Sequence, residues 1–207
     1  AHAFGVRYKN KSILNYGDAA TLSFHATKLF HTIEGGAIVF REKEALERAK
    51  LLINFGITGP ETIEALGINA KMNEFQAAMG LAVLDSIDHI LEKRSEVWHY
   101  YRERLQHNFQ LQKLNPHATN NYGYFPVLFK NEEELLLNKK KLNDHGINPR
   151  RYFFPSLDTV PVFASDVSAN SREIAKRILC LPCFTELEKE SQKEITDLLF
   201  YEGEIRS

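Results

Sequence analysis

The chain is poor in cysteine: Cys180 and Cys183 are the only two in 207 residues, too few for a disulfide framework. It has no excess of either charge, since 26 Lys and Arg against 27 Asp and Glu leave a formal charge of −1. So even a balance gives no electrostatic footprint for nucleic acid or for an anionic membrane surface. No apolar run approaches the roughly 20 residues that cross a bilayer. The first residues, Ala1-His2-Ala3-Phe4, lack the basic and apolar regions of a secretory signal. A reduced, cytoplasmic setting without nucleic-acid or membrane partners is therefore expected. What is present is globular composition, 43% hydrophobic and 26% charged, which argues against disorder. The length allows one large domain or two small ones and a core that needs neither disulfide nor metal.

Strand and helix signals alternate. Ala20–Phe24 and Ala37–Phe40 read as short buried strands, separated by a polar loop from His25 to Gly36. Leu46, Ala49 and Ile53 give Glu42–Phe55 helical spacing, with Gly56 as its stop. A Gly- and Pro-containing loop follows to about Met72. Asn73 with Gln76 forms a capping-box start for a helix carrying Ala77, Leu81 and Leu84 on one face. The strongest periodicity spans residues 86–108, where Ile87, Ile90, Leu91, Val97, Trp98, Tyr101 and Leu105 recur at three- and four-residue steps. A helix of that length can bridge two domains, which places a boundary near residue 92 and gives domains 1–92 and 93–207. Further on, the pattern predicts a strand at Tyr124–Phe129 and a helix from Glu132 to His145 stopped by Gly146. A helix from Asn170 boxed by Glu173 and a last helix after Thr185, paired with Glu188, complete it. This mixture suggests a smaller α+β domain at the C-terminal side.

The chemistry-bearing stretch runs from Ser23 to Gly36, SFHATKLFHTIEGG. A lysine stands in a loop just beyond a strand, five residues after a serine and ahead of a glycine pair. Partial desolvation disfavours an ammonium, and the freed amine can form a Schiff base with a carbonyl. Ser23 can donate its hydroxyl to a phosphate, and the glycines let backbone approach and turn. Taken from the residues alone, this remains a weak signal, because most loop lysines are solvated.

In combination the motifs are more specific. Ala1-His2-Ala3-Phe4-Gly5, Gly17-Asp18, Ser23–Lys28, Glu34-Gly35-Gly36 and Gly67–Glu74 followed by Gln76-Ala77-Ala78 resemble, in order, the central part of the DegT/DnrJ/StrS-type nucleotide-sugar aminotransferases. These are fold-type-I pyridoxal phosphate (PLP) enzymes. Arg151–Pro155 and Leu179–Pro182 resemble pieces of that family's smaller C-terminal domain. The fold class so implied is α/β: a mixed-sheet remnant of the large domain plus a smaller α+β domain.

The resemblance implies that Lys28 carries PLP as a Schiff base and moves a proton, and that His2 lies against the pyridine ring. It also implies that Ser23 binds the cofactor phosphate and Asn69 that of a neighbouring subunit, so that a homodimer shares its active sites. Lys71, Arg150 or Arg151, and Tyr152 are candidates for the substrate, a guanidinium suiting a diphosphate. Dehydrating relatives carry histidine at the lysine position, so Lys28 favours transamination: amino transfer, with glutamate as donor, to a keto carbon of a nucleotide-linked deoxyhexose. The family places an aspartate three residues before the histidine that His2 matches, and a phosphate-binding turn further upstream. Both would precede residue 1, so the native polypeptide is expected to be longer. Two alternatives stay open: a non-catalytic PLP-binding regulatory relative, and a dimerisation fragment without activity.

Other motifs read more plainly. Cys180-Leu181-Pro182-Cys183 has C-x-x-C spacing but is not placed to open a helix in a βαβ unit, so a buried strand end with two thiols is preferred. His25, His31 and Glu34 match no zinc spacing and read as hydrogen-bonded loop residues beside Lys28; no metal site is expected. Lys139-Lys140-Lys141 reads as a solvated helix face.

Overall fold

The computed structural model describes residues 1–163 and 166–200. The chain divides into two units, Ala1–Ile90 with Asn115–Gly123, and Leu91–Leu114 with the residues from Tyr124 onward.

The first unit opens with a hairpin of β1 (Arg7–Tyr8) and β2 (Lys11–Ser12). Its two-residue turn needs positive φ at both positions, which Lys9 (47°) and Asn10 (63°) adopt. The pattern of the sequence gives no sign of strands this short. Next, β3 (Ala19–Ser23) and β4 (Gly36–Phe40) pair antiparallel, from Ala19↔Phe40 to Ser23↔Gly36. The sequence predicts buried strands here; among the described residues they pair only with each other, and Ile38 and Val39 remain 50% and 39% exposed. Helix α1 (Lys43–Ile53) follows, then a small hairpin of β5 (Ile57–Gly59) and β6 (Thr62–Ile63) within the predicted loop. Helix α2 (Glu74–Asp85) starts with the capping box its sequence predicts: Gln76 N donates to Asn73 Oδ1 at 2.9 Å, and Asn73 N donates to Gln76 Oε1 at 3.2 Å. The segment 115–123 lies along the first hairpin. Thr119 N donates to Arg7 O at 2.9 Å and Lys9 N to His117 O at 2.8 Å.

Helix α3 (Ile87–Leu105) carries its predicted stripe inward at Val97, Trp98, Tyr101 and Leu105. These build the core of the second unit against an antiparallel sheet of order β7 (Gln110–Leu111), β8 (Phe125–Leu128), β9 (Ile178–Leu181). Phe125 takes Trp98 at 5.5 Å and Tyr101 at 5.2 Å between ring centroids, and the Tyr101 hydroxyl donates to Pro182 O at 3.0 Å. Pro126 is tolerated in the middle strand because β7 pairs only with Val127 and Leu128, where a donor is required. Opposite it, Cys180 sends its own backbone bonds the other way, to Arg150 (N–H to O 2.8 Å, O from N–H 3.1 Å).

Helices α4 (Glu132–Asp144), α5 (Ala169–Arg177) and α6 (Lys189–Phe200) supply Leu135, Leu142, Ala175, Ile195 and Leu199 to that core. Three local expectations differ from the structure. Helix α6 begins at Lys189, so Thr185 and Glu188 do not box its start. The box at Asn170 and Glu173 does not form: Asp158 Oδ2 accepts from Ser168 N at 2.8 Å and so caps α5 from a distant loop, while Glu173 pairs with Arg177. In the lysine run, Lys141 is not simply solvated, since its Nζ donates to Leu198 O at 3.0 Å.

Candidate functional site

Lys28 sits on a loop closed at its base by backbone. Phe24 N donates to Gly35 O and Thr32 N to Phe24 O, both at 2.9 Å, where the loop leaves β3 and enters β4. Thr32 is buried, and its hydroxyl donates to Glu34 O at 2.7 Å. Beneath the loop Phe30 is buried, stacked on Phe4 at 4.7 Å and edge-on to Phe24 at 4.8 Å. The loop is therefore a packed platform rather than a slack connection, which suits a group that must be held in one place.

At its tip a tight turn runs from His25 to Lys28, with Lys28 N donating to His25 O at 2.9 Å. His25 fixes that turn in a way its sequence does not reveal. Its Nδ1 accepts from Thr27 N at 3.1 Å and lies 2.8 Å from Thr27 Oγ1, so the ring proton belongs on Nε2, which faces Glu34 Oε1 at 3.5 Å. The preferred sequence reading of His25 and Glu34, hydrogen-bonded loop residues, agrees with this geometry.

The structure joins two of the sequence candidates directly. Lys28 Nζ lies 2.8 Å from His2 Nε2, although 26 residues separate them in the chain. Burial first, and then the charge of Lys28, push the His2 imidazole below its ordinary value of 6.5. The Nε2 lone pair of a neutral ring can accept a hydrogen bond from the lysine; a protonated ring cannot. Ser23 ends β3, half-buried, five residues before Lys28. Asn69 is exposed and pairs through its backbone with Asn54. Lys71 Nζ lies over the Phe55 ring at 4.6 Å. No hydrogen bond or ion pair among the described residues joins Asn69 or Lys71 to Lys28 or His2.

In the second unit, the bridge of Arg150 to Cys180 sets the loop that carries Arg151 and Tyr152. Arg151 is engaged within the fold: Nη2 donates to Glu132 Oε1 at 2.7 Å and to Lys176 O at 2.9 Å, and the guanidinium lies 3.7 Å from the Phe154 ring centroid. Its side chain keeps 15% of its surface. Arg150 is exposed and donates to the Tyr152 hydroxyl at 2.5 Å. Tyr152 in turn stacks on Phe153 at 4.6 Å, and Phe153 is 59% exposed. Cys180 and Cys183 are both thiols, pushed up by burial to about 12 and about 11. No group of three or more His, Cys, Asp or Glu among the described residues is arranged as for a metal ion, and no helix among them is long and apolar enough to cross a membrane.

Residues 1–200 match the model of the DegT/DnrJ/EryC1/StrS aminotransferase family. The chain is 39% identical over 196 residues to a dTDP-4-amino-4,6-dideoxy-D-glucose transaminase of Shigella dysenteriae, covering 90% of this chain and 53% of that protein. Among solved structures, that of DesI in the presence of its TDP-sugar product superposes with a TM-score of 0.85 at 31% identity, covering 96% of this chain and 53% of that chain. The aminotransferase PseC of Helicobacter pylori, involved in pseudoaminic acid biosynthesis, gives 0.86 at 25% identity, over 97% of this chain and 57% of that one. The chain thus spans about half the length of the curated relatives it matches. With both the motif order and the fold in agreement, the chain belongs to the DegT/DnrJ/EryC1/StrS aminotransferase family and shares its fold-type-I architecture.

Proposed function

We propose that the native protein is a PLP-dependent aminotransferase that transfers an amino group, with glutamate as donor, to a keto carbon of a nucleotide-linked deoxyhexose. The observation that carries this reading is the Lys28–His2 contact of 2.8 Å at the tip of a fixed loop. The residues present fit PLP. Lys28 offers a primary amine, His2 offers a flat ring beside it, and the Ser23 hydroxyl makes no hydrogen bond among the described residues. Lys28 would hold the cofactor covalently, His2 would lie against its ring, Ser23 would bind its phosphate, and Asn69 would reach the phosphate in a second copy of the chain. When bound, PLP supplies the electron sink that stabilises a developing carbanion.

The chain's own groups supply proton handling. A neutral His2 accepts the hydrogen bond of Lys28 Nζ and so holds the amine in one orientation. That orientation makes Lys28 a positioned general base and acid, able to take a proton at one carbon and deliver it at another. In the second unit Arg151 is engaged with Glu132 and Lys176, whereas Arg150 is exposed and held against the Tyr152 hydroxyl; the diphosphate role is assigned to Arg150, with Tyr152 beside it. A homodimer would give cover to apolar side chains left open in the first unit, among them Leu66 (98%), Phe75 (88%) and Ile63 (73%).

The test uses the native full-length protein with PLP. A visible absorption band should form, borohydride should fix the cofactor, and peptide mapping should find it on Lys28. Added glutamate should then convert the spectrum to the pyridoxamine form. Label on another residue, or no band, would refute the reading; a band indifferent to glutamate would refute the donor.

A further inference from the structure

The geometry points to Asn121 as the positioning residue of His2, and through it of the Lys28–His2 pair; this rests on the aminotransferase reading above. His2, Ala3 and Phe4 belong to no helix or strand, so their carbonyls have no ladder partner and must be satisfied in another way. Asn121 provides it. Its Nδ2 donates to His2 O at 2.9 Å and to Phe4 O at 2.9 Å, using both amide protons. Its Oδ1 accepts from Gly123 N at 3.2 Å. The carbonyl between them, Ala3 O, takes the N–H of Val6 at 3.1 Å. Three successive carbonyls thus each have a donor, and two of those donors come from a single side chain.

Asn121 is itself anchored. Thr119 N donates to Arg7 O, and Arg7 N donates to Thr119 Oγ1 at 2.9 Å, which ties the segment to the first hairpin. Asn120 Oδ1 accepts from Tyr122 N at 3.0 Å, so two successive asparagines close the turn around Asn121. On the other side of the His2 segment, the Phe4 ring stacks on buried Phe30 of the Lys28 loop. The His2 backbone is therefore clamped between Asn121 and the platform that carries Lys28. The hydrogen bonds of Asn121 reach backbone groups; it acts by fixing the backbone from which the His2 ring projects. A side chain with two donors on one nitrogen is required, because both targets are carbonyl oxygens. Aspartate has the same shape but can only accept.

The test compares wild type, Asn121→Asp and Asn121→Ala in the native full-length protein, with PLP as the probe. Asn121→Asp keeps an acceptor for Gly123 N–H and turns both donations into repulsion. It should weaken PLP binding about tenfold or more and shift the pH midpoint of the visible band. Asn121→Ala should move both in the same direction by less. A merely structural role would lower the melting temperature of the variants and leave the pH midpoint of the band in place, which would overturn the inference, as would unchanged PLP affinity in both. If Asn121→Asp does not fold, Asn121→Ala decides by the same two readouts. If wild type itself forms no band, the aminotransferase reading fails instead. The His2 ring resonances then decide Asn121 alone: displaced in Asn121→Ala, they support the clamp, and unmoved they overturn it.

Discussion

Lys28 Nζ lies 2.8 Å from His2 Nε2, a distance at which two cations cannot share one hydrogen bond. The imidazole yields its proton, since burial and the neighbouring ammonium both favour the neutral ring. The unfolded chain takes up that proton near the ordinary 6.5, and the folded chain only at a lower pH. Between those two values the unfolded state holds more protons, so the contribution of this pair is present above 6.5 and is lost as pH falls beneath it. A titration of the His2 ring by NMR should give a value below 6.5, and loss of its contact with Lys28 on the acid side. A ring that titrates at or above 6.5 would contradict this.

Arg150 and Arg151 are neighbours with opposite expected phenotypes. Arg151→Ala removes two hydrogen bonds and the contact with Phe154, and should cost about 1–3 kcal/mol in urea unfolding. Arg150→Ala should change stability by no more than about 0.5 kcal/mol. It should instead weaken binding of a nucleoside diphosphate to the native protein by about tenfold, measured by calorimetry. Equal loss of stability in the two variants would remove the distinction.

Gly80 of α2 lies against the Lys28 loop. A Cβ added there would stand 2.9 Å from Thr32 Cγ2 and 3.5 Å from Phe30 Cζ. Thr32 is β-branched and buried, so it cannot swing clear. Gly80→Ala should therefore destabilise by about 1–3 kcal/mol, as overpacking does, and speed hydrogen exchange at the Thr32 amide. An unchanged exchange rate would show that the loop does not rest on α2.

His25 should be needed for the turn beneath Lys28. His25→Ala removes the acceptor of the Thr27 N–H, whereas His25→Asn can replace it in an Asx turn. Faster exchange of the Thr27 amide is expected in the alanine variant, with recovery in the asparagine variant. Equal exchange in both would argue that the backbone alone sets the turn.

The two thiols should be unreactive. With Cys180 pushed up to about 12 and Cys183 to about 11, little thiolate exists at pH 8. Iodoacetamide should label neither in the folded protein and both after denaturation. Rapid labelling of the native state would reopen a redox role for this pair.

The local part of this structure is legible in the chain. Asn73 and Gln76 form their capping box because both bonds join residues three apart, and the α3 stripe is buried because helical spacing brings its apolar side chains to one face. The Lys28 loop is marked out by Ser23 before it and the glycine pair after it. By contrast, the pairing of Asp158 with the start of α5 leaves no such mark, so a local box at Asn170 looked just as suitable.

The sequence by itself determined the helices, the loop that bears Lys28 and the family to which its motifs belong, since each depends on spacing within a few residues. Only the tertiary structure decided that Arg151 is engaged with Glu132 and Lys176 while Arg150 stays exposed beside Tyr152, and that Asn121 clamps His2 across 119 positions. A hydrogen bond between neighbours is written in their separation along the chain. One between distant residues depends on where folding carries both backbones, and no spacing records that.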